Sequence, residues 1–209
     1  MNTDAITTQP AGDRRLRGDG GEQIAGLVAA HVLDVPDFPK PGIGFKDLSP
    51  LFADGVAFAG VVDSLLHRYQ VPAVGADAVV DRGFDVVAGI EARGFVIAAA
   101  VAYAAGVGVV AVRKAGKLPR RTIAASYALE YGEATLEVHA DAFTPGQRVL
   151  LVDDVLATGG TAEAALGLVR QAGGQLTGFA VLMELAFLSG RQRLTSSLGD
   201  IPVHALLTV

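Results

Sequence analysis

The sequence predicts an α/β domain: a central, mostly parallel sheet flanked by helices. Three observations carry this. Val86–Ile90 and Val149–Val152 are apolar without alternation, as parallel strands covered on both faces must be. Phe58–Tyr69 places Val61, Val62, Leu65 and Leu66 at helical spacing, one apolar face against a core. Strand and helix patterns then alternate along the chain, the order that parallel crossovers impose.

The elements follow in sequence. Residues 1–21 are polar, with Arg14, Arg15 and Arg17 and no apolar run, so a disordered tail without the layout of a signal peptide is expected. Residues 22–209 then form a single domain. Glu22–Leu33 carries Ile24, Leu27, Val28 and Val32 on one helical face. In Val35–Gly42, Pro36, Pro39 and Pro41 forbid a continuous helix and make a rigid connector. The strand Val86–Ile90 ends at Glu91-Ala92-Arg93-Gly94. Gly94–Val112 has no charge and approaches the ~20 residues of a membrane span, but Gly106 and Gly108 interrupt it. It reads instead as a buried helix over Phe95–Ala105 and a buried strand over Val107–Val112. From Arg113 to about Glu133 the chain is polar without a clear period, which predicts a flexible lid over about 114–132. Ala134–Val138 alternates like an antiparallel strand. Phe179–Glu184 is a further strand, and the C-terminal segment ends with Val203–Leu207.

Composition narrows the function. With 209 residues, 51% hydrophobic, the chain can bury one substantial core. A net charge of −5 argues against general nucleic-acid affinity. The absence of cysteine removes thiolate chemistry and Cys-based zinc sites. His31, His67, His139 and His204 are scattered without metal-ligand spacing and read as structural or surface residues. The expected location is cytoplasmic.

Chemistry concentrates in Val149-Leu150-Leu151-Val152-Asp153-Asp154-Val155-Leu156-Ala157-Thr158-Gly159-Gly160-Thr161. A buried strand runs into two adjacent acids, then a loop of small residues. Ala162, Ala165, Leu166 and Val169 follow at helical spacing until Gly173-Gly174. In an open parallel sheet, ligands bind outside the carboxyl ends of strands. Amides freed by Gly159 and Gly160, with a helix dipole behind them, suit a phosphate dianion. The loop is not a Walker loop, for it lacks the Gly-Lys-Ser/Thr ending. Read without this context, the acids would only cap the sheet edge.

This segment resembles the phosphoribosyl-pyrophosphate (PRPP) motif of the type I phosphoribosyltransferases. Four more segments resemble the adenine branch of that family, in the right order: Asp37–Pro50, Glu91–Phe95, Arg113–Pro119 and Ser126–Gly132. The resemblance implies the family fold with a flexible lid and a small N-terminal hood. It implies transfer of the 5-phosphoribosyl group from PRPP to N9 of adenine, with Mg²⁺ as cofactor, in a homodimer. No membrane or nucleic-acid partner is implied.

Residue roles follow from the resemblance and from what each group can do. Asp153 and Asp154 would accept hydrogen bonds from the ribose hydroxyls and favour a cationic ring in the transition state. Ala157, Thr158, Gly159, Gly160 and Thr161 would hold the 5′-phosphate. Arg93, Arg113 and Lys117 would bind and neutralise pyrophosphate, and a cis peptide is expected at Glu91–Ala92. Mg²⁺ would be held mainly by PRPP and water. Ile43, Gly44, Phe45 and Lys46 would read adenine, through backbone groups and with Phe45 stacking on the ring. Glu130 would accept the N7 proton as general base. Tyr127 and Tyr131 would belong to the lid. Gly44 and Lys46 depart from a common form of the family loop, where a bulkier aliphatic and Arg are frequent.

Two other readings remain open at this point. A 6-oxopurine or orotate phosphoribosyltransferase would share the signature but not the Leu129-Glu130-Tyr131-Gly132 segment. A PRPP-sensing regulator would carry a winged-helix module, for which the roughly twenty residues ahead of the first helix are too few.

Overall fold

The computed structural model describes residues 20–69, 81–128, 133–199 and 201–209. Residues 1–19 of the expected tail lie outside these, and Gly20 and Gly21 are helical instead, opening α1 (Gly20–Ala30). A small antiparallel hairpin follows, β1 (Leu33–Val35) with β2 (Phe45–Asp47). The connector read as merely rigid is therefore the turn of this hairpin. Within it Asp37 has a φ of 57°, and its carboxylate accepts the Gly42 N–H. α2 (Ser49–Ala53) and α3 (Gly55–Tyr69) complete the N-terminal part.

The main sheet has seven strands. β3 (Val86–Ile90), β4 (Gly108–Lys114), β7 (Arg148–Leu156), β8 (Gln175–Glu184) and β9 (Val203–Thr208) are parallel. β5 (Thr122–Ala128) and β6 (Glu133–His139) add an antiparallel hairpin at one edge, giving the order β5-β6-β4-β3-β7-β8-β9. β5 corrects the sequence reading, which saw no period between residues 114 and 132. Ile123, Ala125 and Tyr127 in fact alternate onto the core face. Strand pairing thus turns residues 122–128 of the expected lid into one strand of a β-ribbon, while Leu129 to Gly132 lie outside the described residues.

The sheet is covered on both faces, as its unbroken apolar strands require. On one face α3 and α4 (Arg93–Ala105) pack Val61, Leu65, Ile97 and Val101 against Val87, Leu150 and Val152. On the other, α5 (Gly160–Gln171) packs Leu166 and Val169 against Ala88, Leu151 and Val181. Alternate residues of β7 thus face opposite layers. The uncharged stretch 94–112 divides into α4 and β4, with Gly106 as an αL C-cap at φ 65°. No helix among the described residues is long and apolar enough to cross a membrane. A 3₁₀ turn (Ala186–Leu188) and α6 (Gly190–Leu198) precede β9; the polar composition of α6 hid it from periodicity.

This topology selects one place for a ligand. From β3 the chain crosses through α4 to β4 on one side, while β7 lies on β3's other side. The carboxyl ends of β3 and β7 therefore flank a switch point, where open α/β sheets bind ligands.

Candidate active site

β7 runs four residues beyond the apolar run that marked it in the sequence. Its pairing with β3 stops at Val152, whereas pairing with β8 continues to Leu156. The acids therefore sit inside a strand, on a stretch whose β3-side edge is open. α4 fills that edge at Gly94, where a Cβ would stand 2.9 Å from Asp153 Oδ1 and 3.0 Å from the Val152 carbonyl oxygen. Only a glycine lets the helix start so close to the acid pair.

The two acids differ. Asp153 is half-buried, and its Oδ1 accepts the Asp154 backbone N–H at 2.9 Å. Desolvation, followed by the neighbouring Asp154 charge, pushes its carboxyl well above the ordinary value of 3.8. Asp154 is buried, and its Oδ2 lies 2.6 Å from Arg93 Nε. That oxygen accepts no aligned hydrogen bond, so the contact is ionic.

Arg93 joins three parts of the site. Besides facing Asp154, its guanidinium carbon lies 4.9 Å from the centre of the Phe45 ring, and its Nη1 donates to the Lys46 carbonyl at 3.4 Å. The first residue of α4, which the sequence reading left in the loop ahead of a helix at Phe95, thus links the acid pair to the β1–β2 hairpin, 47 residues upstream of Arg93 in the latter contact. The Glu91–Ala92 peptide in this loop is cis, as expected from the sequence. Phe45 meets Phe38 edge-on with ring centres 5.0 Å apart, and Lys46 pairs through its ammonium with Asp34 across the hairpin.

Beyond Leu156 the chain turns through Ala157, Thr158 and Gly159 into α5. Together with Asp153, Gly160 and Thr161 these residues line a concavity at the helix N-terminus. Gly159 has a φ of 83°, and Gly160 is the first helical residue, two residues before Ala162, where the helical spacing begins in the sequence. Backbone amides and the helix dipole here favour an anion. The loop rests on α6: a Cβ on Gly159 would stand 2.9 Å from the Gly190 carbonyl oxygen, and one on Gly190 would strike Ala157. α6 is in turn anchored by the bidentate Arg191–Glu184 pair and by Arg193 Nε on Glu163 at 2.7 Å.

At the end of β4, Glu91 accepts the Arg113 Nε–H at 3.2 Å and the Lys114 N–H at 2.9 Å. Burial alone would raise its carboxyl, but these bonds and the Arg113 charge bring it below its ordinary value. Arg113 also lies 5.9 Å from the Phe95 ring centre.

The model of the phosphoribosyl transferase domain matches residues 75–194. An adenine phosphoribosyltransferase of Salinispora tropica is 68% identical over 194 residues, which are 93% of this chain and 96% of that protein. The chain belongs to the adenine phosphoribosyltransferases. Among solved structures, the adenine phosphoribosyltransferase of Rhodothermus marinus superposes with a TM-score of 0.78 at 42% identity, over 90% of this chain and 99% of that one. The Saccharomyces cerevisiae enzyme, complexed with an imino-altritol bisphosphate and adenine, gives 0.77 at 37%, over 89% and 99%.

Against this adenine phosphoribosyltransferase scaffold, the residues singled out in the sequence fall into four groups. Arg93, Asp153, Asp154 and the 157–161 loop converge at the switch point, and Phe45 and Lys46 meet them through Arg93. Arg113 and Lys117 form a second group at the end of β4, with Arg113 Nη1 donating to the Lys117 carbonyl at 3.4 Å. Tyr127 lies on the core face of β5, packed against the second hydrophobic cluster. Glu130 and Tyr131 lie outside the described residues. Sequence reasoning missed Gly94 and Gly190 as the residues that allow the close approaches, because their contact partners are remote along the chain. It also missed Glu137, which looks like an ordinary outward acid on an alternating strand.

Proposed function

We propose that this chain transfers the 5-phosphoribosyl group of PRPP to N9 of adenine, giving AMP and pyrophosphate in purine salvage. One observation carries the mechanism: an acid pair, an amide-lined helix N-terminus and the Arg93 loop converge at one switch point. The 5′-phosphate sits on the amides of Ala157, Thr158, Gly159, Gly160 and Thr161. The ribose hydroxyls donate to Asp153 and Asp154. Arg93, Arg113 and Lys117 receive the pyrophosphate. As the C1–oxygen bond breaks, pyrophosphate takes the electron pair and the ring gains cationic character, which the acid pair stabilises. N9 of adenine then forms the new bond to C1, and the N7 proton passes to Glu130.

Mg²⁺ would be held mainly by PRPP and water, and would supply charge neutralisation for the departing pyrophosphate. The nearby acids suit this arrangement, because Asp154 faces Arg93 and Glu91 holds Arg113. Adenine is read by backbone groups of the Ile43–Lys46 loop. Within it, Ile43 already donates its N–H to Lys40 and accepts from Phe38, which favours Gly44, Phe45 and Lys46 as readers. The β5–β6 ribbon, with Tyr127 and Tyr131, forms the lid and keeps water from the cationic ring. A homodimer is supported by the apolar outer surface of α4 and β4, where Val96, Tyr103 and Val109 are exposed. A cytoplasmic location follows from the substrates.

AMP and pyrophosphate should appear in equal amounts from adenine and PRPP with Mg²⁺. Glu130→Ala should reduce turnover more than PRPP binding; equal losses in both would count against its role as base.

A further inference from the structure

The acid Glu137 lies on β6, opposite Arg113 in the register between β6 and β4. It is only 6% exposed, unusual for a carboxylate. Its Oε1 accepts the backbone N–H groups of Lys117 and Leu118, each at 2.9 Å. Successive amides converging on one oxygen form the kind of nest that binds an anion, and here the anion comes from the protein itself. Those bonds, with one from Gly116, outweigh the burial that would raise the carboxyl, and hold it below its ordinary value. The turn is tied at its other end as well. Glu91 binds Arg113 and the Lys114 N–H, and Ala115 N–H donates to the Thr135 carbonyl at 3.0 Å. The turn's backbone is thereby fixed, while the Lys117 side chain is left exposed.

We infer that Glu137 is a positioning residue for the pyrophosphate half of PRPP: its buried carboxylate fixes the Lys117–Leu118 turn and so aims the Lys117 ammonium. The inference rests on the reading of Lys117 as a pyrophosphate ligand. Glu137 acts through the turn and not on substrate directly, because it is buried and its Oε1 is taken by the Lys117 and Leu118 amides. Without it the turn keeps its sequence and charge but loses the anion around which its amides are ordered. PRPP affinity then falls, while the adenine loop, on the far side of Arg93, is untouched.

The test compares Glu137→Ala, Glu137→Gln and Lys117→Ala in the full chain, with KM for each substrate, kcat and the melting temperature. Glu137→Ala should raise KM for PRPP about tenfold, the scale of a lost charge-assisted bond, with KM for adenine within about twofold. Glu137→Gln keeps an acceptor oxygen without the charge and should raise KM for PRPP by a smaller factor, about threefold, a rise that can be read whether or not the alanine variant folds. The double variant Lys117→Ala/Glu137→Gln should add little to Lys117→Ala alone. Equal rises in both KM values with a lower melting temperature would reduce Glu137 to a structural residue and overturn the inference. So would an unchanged KM for PRPP in the glutamate variants while Lys117→Ala raises it. An unchanged KM in Lys117→Ala would remove the reading of Lys117, and the inference with it.

Discussion

Arg93 Nε stands 2.6 Å from Asp154 Oδ2, so the start of α4 and the end of β7 are joined by a charge pair whose acid is buried. The pair pre-forms the site: the cation proposed for pyrophosphate and the acid proposed for ribose hold each other in place. Asp154→Asn is close to isosteric and should fold, yet lose on the order of 10²-fold in kcat, as loss of preorganised electrostatic stabilisation does. Steady-state rates beside a melting curve check this. A near-normal rate in a folded variant would reject the ribose assignment.

Gly94 is a steric consequence of the same junction. A Cβ there would press on Asp153 Oδ1 and on β7 backbone, neither of which can move cheaply. Gly94→Ala should lower stability by about 1–3 kcal/mol, the usual cost of overpacking. It should also impair turnover more than that loss explains, since the displaced group is Asp153. Chemical denaturation and kcat on the same preparation would show both effects.

Gly190 should behave differently. Its added methyl would strike Ala157 and Leu156 in the loop proposed to hold the 5′-phosphate. Gly190→Ala should therefore raise KM for PRPP, by about tenfold for a displacement worth ~1.4 kcal/mol. KM for adenine should change little. Comparable changes in both would point to a general loss of fold.

Asp153 gives the stability of the chain a pH dependence of definite sign. Its carboxyl is raised in the folded state, by desolvation and then by Asp154. Between the unfolded and folded values, the folded protein therefore holds a proton that the unfolded chain has released. The stabilisation is complete below the ordinary value of 3.8 and is lost as pH rises from there through the folded-state value. Asp153→Asn removes the charge, so it should melt above the parent at pH 7, with the gap closing toward pH 4. Melting curves of both proteins across that range decide it, and a constant gap would contradict the assignment.

The sheet and most of the site were legible in the sequence because local chemistry encodes them. Val86–Ile90 is buried on every residue, and its unbroken apolar run says as much. The acid pair and the Gly159-Gly160 turn carry their chemistry in adjacent residues. Where the reading fell short, a non-local partner decides the structure. β7 outruns its apolar stretch because β8 continues to pair with it. β5 reads as an irregular lid in the sequence because its inward residues, Ile123, Ala125 and Tyr127, include only one strong hydrophobe. The β1–β2 hairpin hid behind three prolines that occupy its turn rather than its strands. Glu137 and Gly190 act on residues about 20 and 30 positions away, so nothing beside them in the chain marks their work.

The most direct test of the account is a parallel assay with PRPP and Mg²⁺, offering adenine, hypoxanthine, guanine, xanthine and orotate and measuring nucleotide formed from each. AMP is expected from adenine, with no appreciable product from the other four. Turnover of another base at a comparable rate would contradict the backbone reading of adenine by the Ile43–Lys46 loop.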